Sequence, residues 1–83
     1  IQGQTKHFDF VCNSVERGCT QLQLQWGKPV GFGVLTVQTL EQATARAGGK
    51  LGNKGFDTAE TVLEMIKLMS TITNSKKDEE EQK

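Results

Sequence analysis

An open α/β sheet with helices on both faces is the fold class this sequence predicts, and three observations predict it. Apolar residues recur at steps of three and four in three separate stretches, the pattern of helices with one buried face. A single short run between the first two, "PVGFGVLTV", is continuously apolar and β-branched, as expected of a strand covered on both sides. Glycines punctuate the joints, and the resulting order is helix, strand, helix, helix.

The first helix is expected from about Phe8, because Phe8, Val11, Cys12, Val15, Cys19, Leu22 and Trp26 form one stripe, with Gly27 as its stop. The strand follows from Pro29 to Val37, with the proline at the first position, where no ladder N–H is missed. Thr39 can cap a second helix, and Gln42 three residues on completes a capping box. Leu40, Ala43 and Ala47 share its face, and Gly48 and Gly49 end it. A glycine-rich connector, "GGKLGNKG", leads to a third helix whose stripe is Ala59, Val62, Leu63, Ile66 and Met69. Residues 1–73 are read as one domain piece. Residues 74–83, "NSKKDEEEQK", are read as a charged, disordered tail with nothing to bury.

One strand is no sheet, so the three apolar helix faces need strands from elsewhere. The chain opens on Ile1 rather than methionine, and it is expected to be a piece of a longer reading frame, about half a domain. Ten basic and ten acidic residues balance, which removes any general attraction to nucleic acid or membranes. No apolar run is long enough to span a bilayer. Cys12 and Cys19 stand seven positions apart, roughly 10 Å along one helix, beyond disulfide reach. Buried reduced thiols are expected, and the spacing offers no zinc site.

Four places can carry chemistry. In "GQTKH", Gly3 permits close backbone approach, and the N–H groups of Gln4 and Thr5 can face an anion where a helix begins, beside His7, the single histidine. An ordinary loop explains the same turn equally well. Phe32, flanked by Gly31 and Gly33, offers an uncrowded aromatic face, although core filling is the commoner role. Arg46, in the last turn of the second helix, suits the helix dipole and can equally grip a phosphate. In "GNKGFD", a turn and cap account for the glycines and Asn53 but leave Lys54 unexplained, with Asp57 close by. A histidine, an arginine and a lysine around an anion-ready turn suggest a phosphorylated substrate and acid–base work.

The segments "GQTKHFDFVCNSVERG" and "KPVGFGVLTVQTLEQATARAGGKLGNKGFDTAETVLEM" resemble the C-terminal half of the 6,7-dimethyl-8-ribityllumazine synthase family, without an obvious gap from Ile1 to about Leu68. The resemblance implies a flavodoxin-like three-layer α/β/α sandwich, here only its C-terminal half. It implies a transferase of riboflavin biosynthesis that condenses 5-amino-6-(D-ribitylamino)uracil with 3,4-dihydroxy-2-butanone 4-phosphate, using no metal or organic cofactor. The family's proton-transfer histidine falls on His7, its phosphate arginine on Arg46 and its lysine on Lys54. The phosphate loop falls on Gln4 and Thr5, and the aromatic that packs on substrate across a subunit boundary falls on Phe32. Family members form homo-oligomers, either pentamers or sixty-subunit icosahedral shells, and the short "GGKLGNKG" connector favours the shell. A cytoplasmic location is expected, or a plastid one if a transit peptide lies upstream.

Departures from the family pattern are Gln4 in place of a small residue, Lys6 where proline or threonine is usual, and Asp57 in place of glutamate. The last leaves a role for Asp57 at the site open. The missing half would supply the aromatic that stacks on the pyrimidine, the loop for the ribityl chain and the remaining strands. A catalytically silent assembly subunit and an archaeal-type riboflavin synthase share the fold. Joint retention of His7, Arg46 and Lys54, with intact H-F-D and G-N-K-G, argues for the synthase.

Overall fold

In the computed structural model, which describes residues 1–81, the first apolar stripe winds into helix α1, His7–Trp26. Gly27 ends it in the left-handed conformation, with φ 61°, and its N–H bonds to the Gln23 carbonyl at 2.9 Å. Helix α2, Leu40–Arg46, starts where Thr39 Oγ1 accepts the Gln42 N–H at 3.1 Å. The reciprocal arm differs from the expected capping box. Gln42 Oε1 accepts from the Gln38 N–H, at 2.8 Å, rather than from Thr39.

The glycine-rich connector is not irregular. It folds into an antiparallel hairpin of β1, Ala47–Gly49, and β2, Gly52–Asn53, paired Ala47 to Asn53 and Gly49 to Gly52. Gly48 at φ 110° and Gly52 at φ 91° hold conformations that a side chain would disfavour, which is how so short a reversal closes. Helix α3, Lys54–Glu81, then runs for 28 residues. The segment expected as a disordered tail continues α3 through Glu81 among the described residues, and residues 82 and 83 lie outside them. Lys76 and Lys77 each stand four positions before a glutamate, a spacing that supports an exposed helix with little to bury.

The expected strand, Pro29–Val37, keeps the period of a strand without a partner. Gly31, Gly33 and Leu35 are half-buried and Val37 is buried, while Phe32, Val34 and Thr36 are exposed. One face meets α3: a Cβ on Gly31 would lie 2.5 Å from Thr58 Cγ2 and 2.7 Å from Val62 Cγ2. Among the described residues, no backbone hydrogen bond forms along residues 31–36, so both edges of this run are open. The parallel sheet of the sequence reading is therefore reduced to one unpaired run and a two-stranded hairpin.

The physical reason is what the described residues can cover. Val37, 6% exposed, is the one buried apolar side chain among them, and Trp26 stands 65% exposed on α1. Burying one valine returns about 2 kcal/mol, whereas ordering backbone costs roughly 1–2 kcal/mol per residue. The Cα radius of gyration is 17.7 Å, against about 12 Å for a compact chain of this length. Surface area is 7124 Å², against about 4,900 Å² for a compact monomer of this mass. The Cα trace measures 62 × 28 × 9 Å, a slab one layer of structure thick. Cys12 and Cys19 are free thiols, half-buried rather than buried, because the face that would enclose them is open.

Candidate functional site

A cleft of about 590 Å³ lies between the exposed side of the Pro29–Val37 run, helix α2 and the start of α3. Its walls are Phe32, Val34, Leu35, Thr36 and Val37 from the run, Gln38, Gln42 and Arg46 from α2 and its approach, and Leu51, Lys54 and Asp57 from the hairpin and α3. That size is in the range of small-ligand sites, and the lining mixes an apolar floor with a few convergent polar groups.

Each charged group is placed by a local device. Arg46 ends α2, where its Nη1 donates to the Gln42 carbonyl at 3.4 Å, the dipole-complementing arrangement weighed from sequence. The bond is long, so the guanidinium can exchange it for a stronger anionic acceptor. Asn53 Oδ1 accepts the Phe56 N–H at 2.9 Å and caps α3, as the turn-and-cap account requires. Lys54 is the first residue of that helix, at the positive end of its dipole, where a cation costs roughly 0.3–1 kcal/mol. Helix formation therefore gives no reason for a lysine here, while an anion in the cleft does. Asp57, in the first turn, sits on the favourable side of the same dipole.

Four of the seven sequence-derived candidates, Phe32, Arg46, Lys54 and Asp57, thus line one cleft. Gln4, Thr5 and His7 do not line it. They form the turn into α1, where the His7 N–H donates to Thr5 Oγ1 at 3.4 Å and the Asp9 and Phe10 N–H groups turn back to the Lys6 carbonyl. Among the described residues, nothing in the chain occupies the N–H groups of Gln4 and Thr5. This turn is tied to the cleft at one point, where the Gln2 N–H donates to the Val37 carbonyl at 2.8 Å. Gln38 and Gln42 were not singled out as site residues from sequence. Their signal, the capping pattern, pointed only to helix formation.

No group of three or more metal-ligating side chains occurs among the described residues, and no described helix is long and apolar enough to cross a membrane.

Comparison with known proteins places this arrangement. Residues 1–70 match the family model described as 6,7-dimethyl-8-ribityllumazine synthase. A protein of that name from Bdellovibrio bacteriovorus is 56% identical over 72 residues, covering 87% of this chain and 40% of the relative. Another from Sulfurospirillum multivorans is 51% identical over 74 residues, covering 89% of the chain and 47% of the relative. One from Cytophaga hutchinsonii is 58% identical over 66 residues, covering 80% and 42%. The chain spans less than half the length of these curated relatives. Three helices and a two-stranded hairpin are what part of a flavodoxin-like α/β fold would leave, with the remaining strands absent. The chain belongs to the 6,7-dimethyl-8-ribityllumazine synthase family.

Proposed function

We propose that the protein to which this chain contributes condenses 5-amino-6-(D-ribitylamino)uracil with 3,4-dihydroxy-2-butanone 4-phosphate to give 6,7-dimethyl-8-ribityllumazine, the penultimate step of riboflavin biosynthesis. The observation that carries this reading is the convergence of Arg46 and Lys54 with Phe32 in one cleft, in a chain whose family bears that product's name.

The aromatic amine adds to the ketone and loses water to form an imine. Loss of the proton from the neighbouring hydroxyl-bearing carbon then expels inorganic phosphate. The enol left behind tautomerises to a new ketone, and attack of the ribitylamino nitrogen on that carbonyl closes the ring with loss of another water. Each step moves a proton. An imidazole can both give and take one near neutrality, so His7 is assigned that work. Arg46 and Lys54 hold the phosphate and offset the charge that grows as it departs, and the N–H groups of Gln4 and Thr5, outside this chain's own cleft, reach it as further donors from a neighbouring subunit. Phe32 gives the substrate a flat apolar wall. Because two reactants are held in one geometry, positioning supplies much of the acceleration.

Steady-state kinetics of the complete protein, with each substrate varied in turn, test the assignment. Arg46→Ala raises KM for the phosphorylated substrate by about 10- to 100-fold, the scale of hydrogen bonds to a charged group. His7→Ala lowers turnover by up to about 100-fold, the low end of acid–base contributions. An unchanged KM in Arg46→Ala overturns the phosphate role.

Assembly belongs to the same proposal. Exposed Phe10, Leu24 and Trp26 on α1 and Leu63 and Ile72 on α3 leave apolar surface for other strands and neighbouring subunits to cover. The reversal from α2 to α3 takes only residues 47–53, which supports a shell-forming homo-oligomer over a free pentamer. Sedimentation of the complete protein decides, and particles no larger than a pentamer refute the shell.

A further inference from the structure

The peptide unit joining Val37 to Gln38 is held from both sides. No cis peptide bonds occur among the described residues, so its carbonyl and its N–H point in opposite directions. The Val37 carbonyl accepts the Gln2 N–H at 2.8 Å, which anchors the segment that runs into His7. The Gln38 N–H donates to Gln42 Oε1, also at 2.8 Å, which anchors helix α2 one turn before Arg46. Val37 is itself the buried residue of the run, so this peptide is held by packing as well as by its two hydrogen bonds.

Gln42 makes three connections there. Its side chain holds the Gln38 peptide, its N–H is capped by Thr39 Oγ1, and its carbonyl receives Arg46 Nη1. Helix α2 is seven residues long, only two turns, and too short to hold a direction without anchored ends. At its far end the Leu51 N–H donates to the Ala45 carbonyl at 2.9 Å, which fixes the hairpin but not the approach to the cleft.

We infer that Gln42 is a positioning residue: by clamping the Val37–Gln38 peptide it holds the helix that ends in Arg46 against the floor of the cleft. The inference rests on the phosphate role given to Arg46 above. Gln42 touches no reacting atom in this account. It sets where the cation stands.

Three substitutions in the complete protein test it, with inorganic phosphate as the probe, titrated by calorimetry so that no turnover is needed. Gln42→Leu keeps the size and removes the acceptor. It weakens phosphate binding about three- to tenfold, the value of one hydrogen bond. Gln42→Met keeps the length and a weak, uncharged thioether acceptor for the Gln38 N–H, and restores part of that loss. Combining Gln42→Leu with Arg46→Ala adds little to Arg46→Ala alone, because the clamp acts through the guanidinium. A merely structural Gln42 gives additive losses and no rescue, and that result overturns the inference. So does full phosphate affinity in Gln42→Leu when Arg46→Ala weakens it. Should Arg46→Ala itself leave phosphate affinity unchanged, the phosphate reading of the cleft falls, and the inference with it. A thermal melt of each variant separates these outcomes from unfolding.

Discussion

The stretch from Thr39 to Lys54 and the stretch from Pro29 to Val37 lie side by side, yet they stand at opposite extremes of self-sufficiency. The first closes its own hydrogen bonds: Thr39 and Gln42 cap α2, the hairpin pairs β1 with β2, and Asn53 caps α3. The second, among the described residues, makes no backbone hydrogen bond between residues 31 and 36 and depends on strands from elsewhere. The difference teaches where this fold keeps its functional parts. Arg46, Lys54 and Asp57 sit on locally completed structure, whereas the run that forms the cleft floor is only as well placed as the sheet around it.

The largest effect expected from this contrast is on the 83-residue chain alone. With one buried apolar side chain among its described residues, it should lack a cooperative thermal transition, bind an apolar dye and form no lumazine from the two substrates. Helical circular dichroism can persist, because helix caps and the hairpin are local. A sharp, cooperative melt of the isolated chain as a monomer would sink the distinction between the two stretches.

A smaller effect isolates the contact that the open run does make. In the complete protein, Gly31→Ala puts a methyl group against two β-branched side chains of α3, Thr58 and Val62, which have little freedom to withdraw. Overpacking of this kind costs about 1–3 kcal/mol, read as a lower urea midpoint. At Gly33 the same methyl would meet Thr58 at 3.2–3.3 Å, so Gly33→Ala is the milder change. Equal midpoints for Gly31→Ala and the unaltered protein would mean that α3 does not pack on this run.

How much of this was legible in the sequence divides along the same line. The end of α1 and the start of α2 could be read because Gly27, Thr39 and Gln42 act on neighbours within four residues, whereas Ala47, expected on the face of α2, begins β1 instead. The character of Pro29–Val37 was legible and its pairing was not, since a ladder needs partners that this stretch cannot supply. The hairpin was missed because "GGKLGNKG" carries no alternating apolar pattern. Its signal lay in glycines placed where φ is positive, at Gly48 and Gly52. The helical continuation through residues 74–81 was missed because composition argued against burial, and an exposed helix needs none. At the site, residue types identified Arg46, Lys54 and Phe32, but Gln42 looked like a cap and nothing more until the Gln38 N–H was seen on its side chain.

The smallest expected effect concerns the self-sufficient stretch, and it separates stability from binding. Asn53→Ala removes the acceptor for the Phe56 N–H and costs about 1 kcal/mol, again as a shift in urea midpoint. Asn53→Asp keeps an acceptor at that point and places a negative charge at the positive end of α3, beside Lys54, so stability is kept or rises by about 0.3–1 kcal/mol. The same carboxylate lies next to a cation assigned to phosphate and competes for it. Phosphate affinity should therefore fall in Asn53→Asp while the midpoint does not. A helix that needed only its cap would show no such split, because a better-capped α3 would then be a better site. If affinity and midpoint rise together, Lys54 is a surface charge and the cleft takes its anion through Arg46 alone.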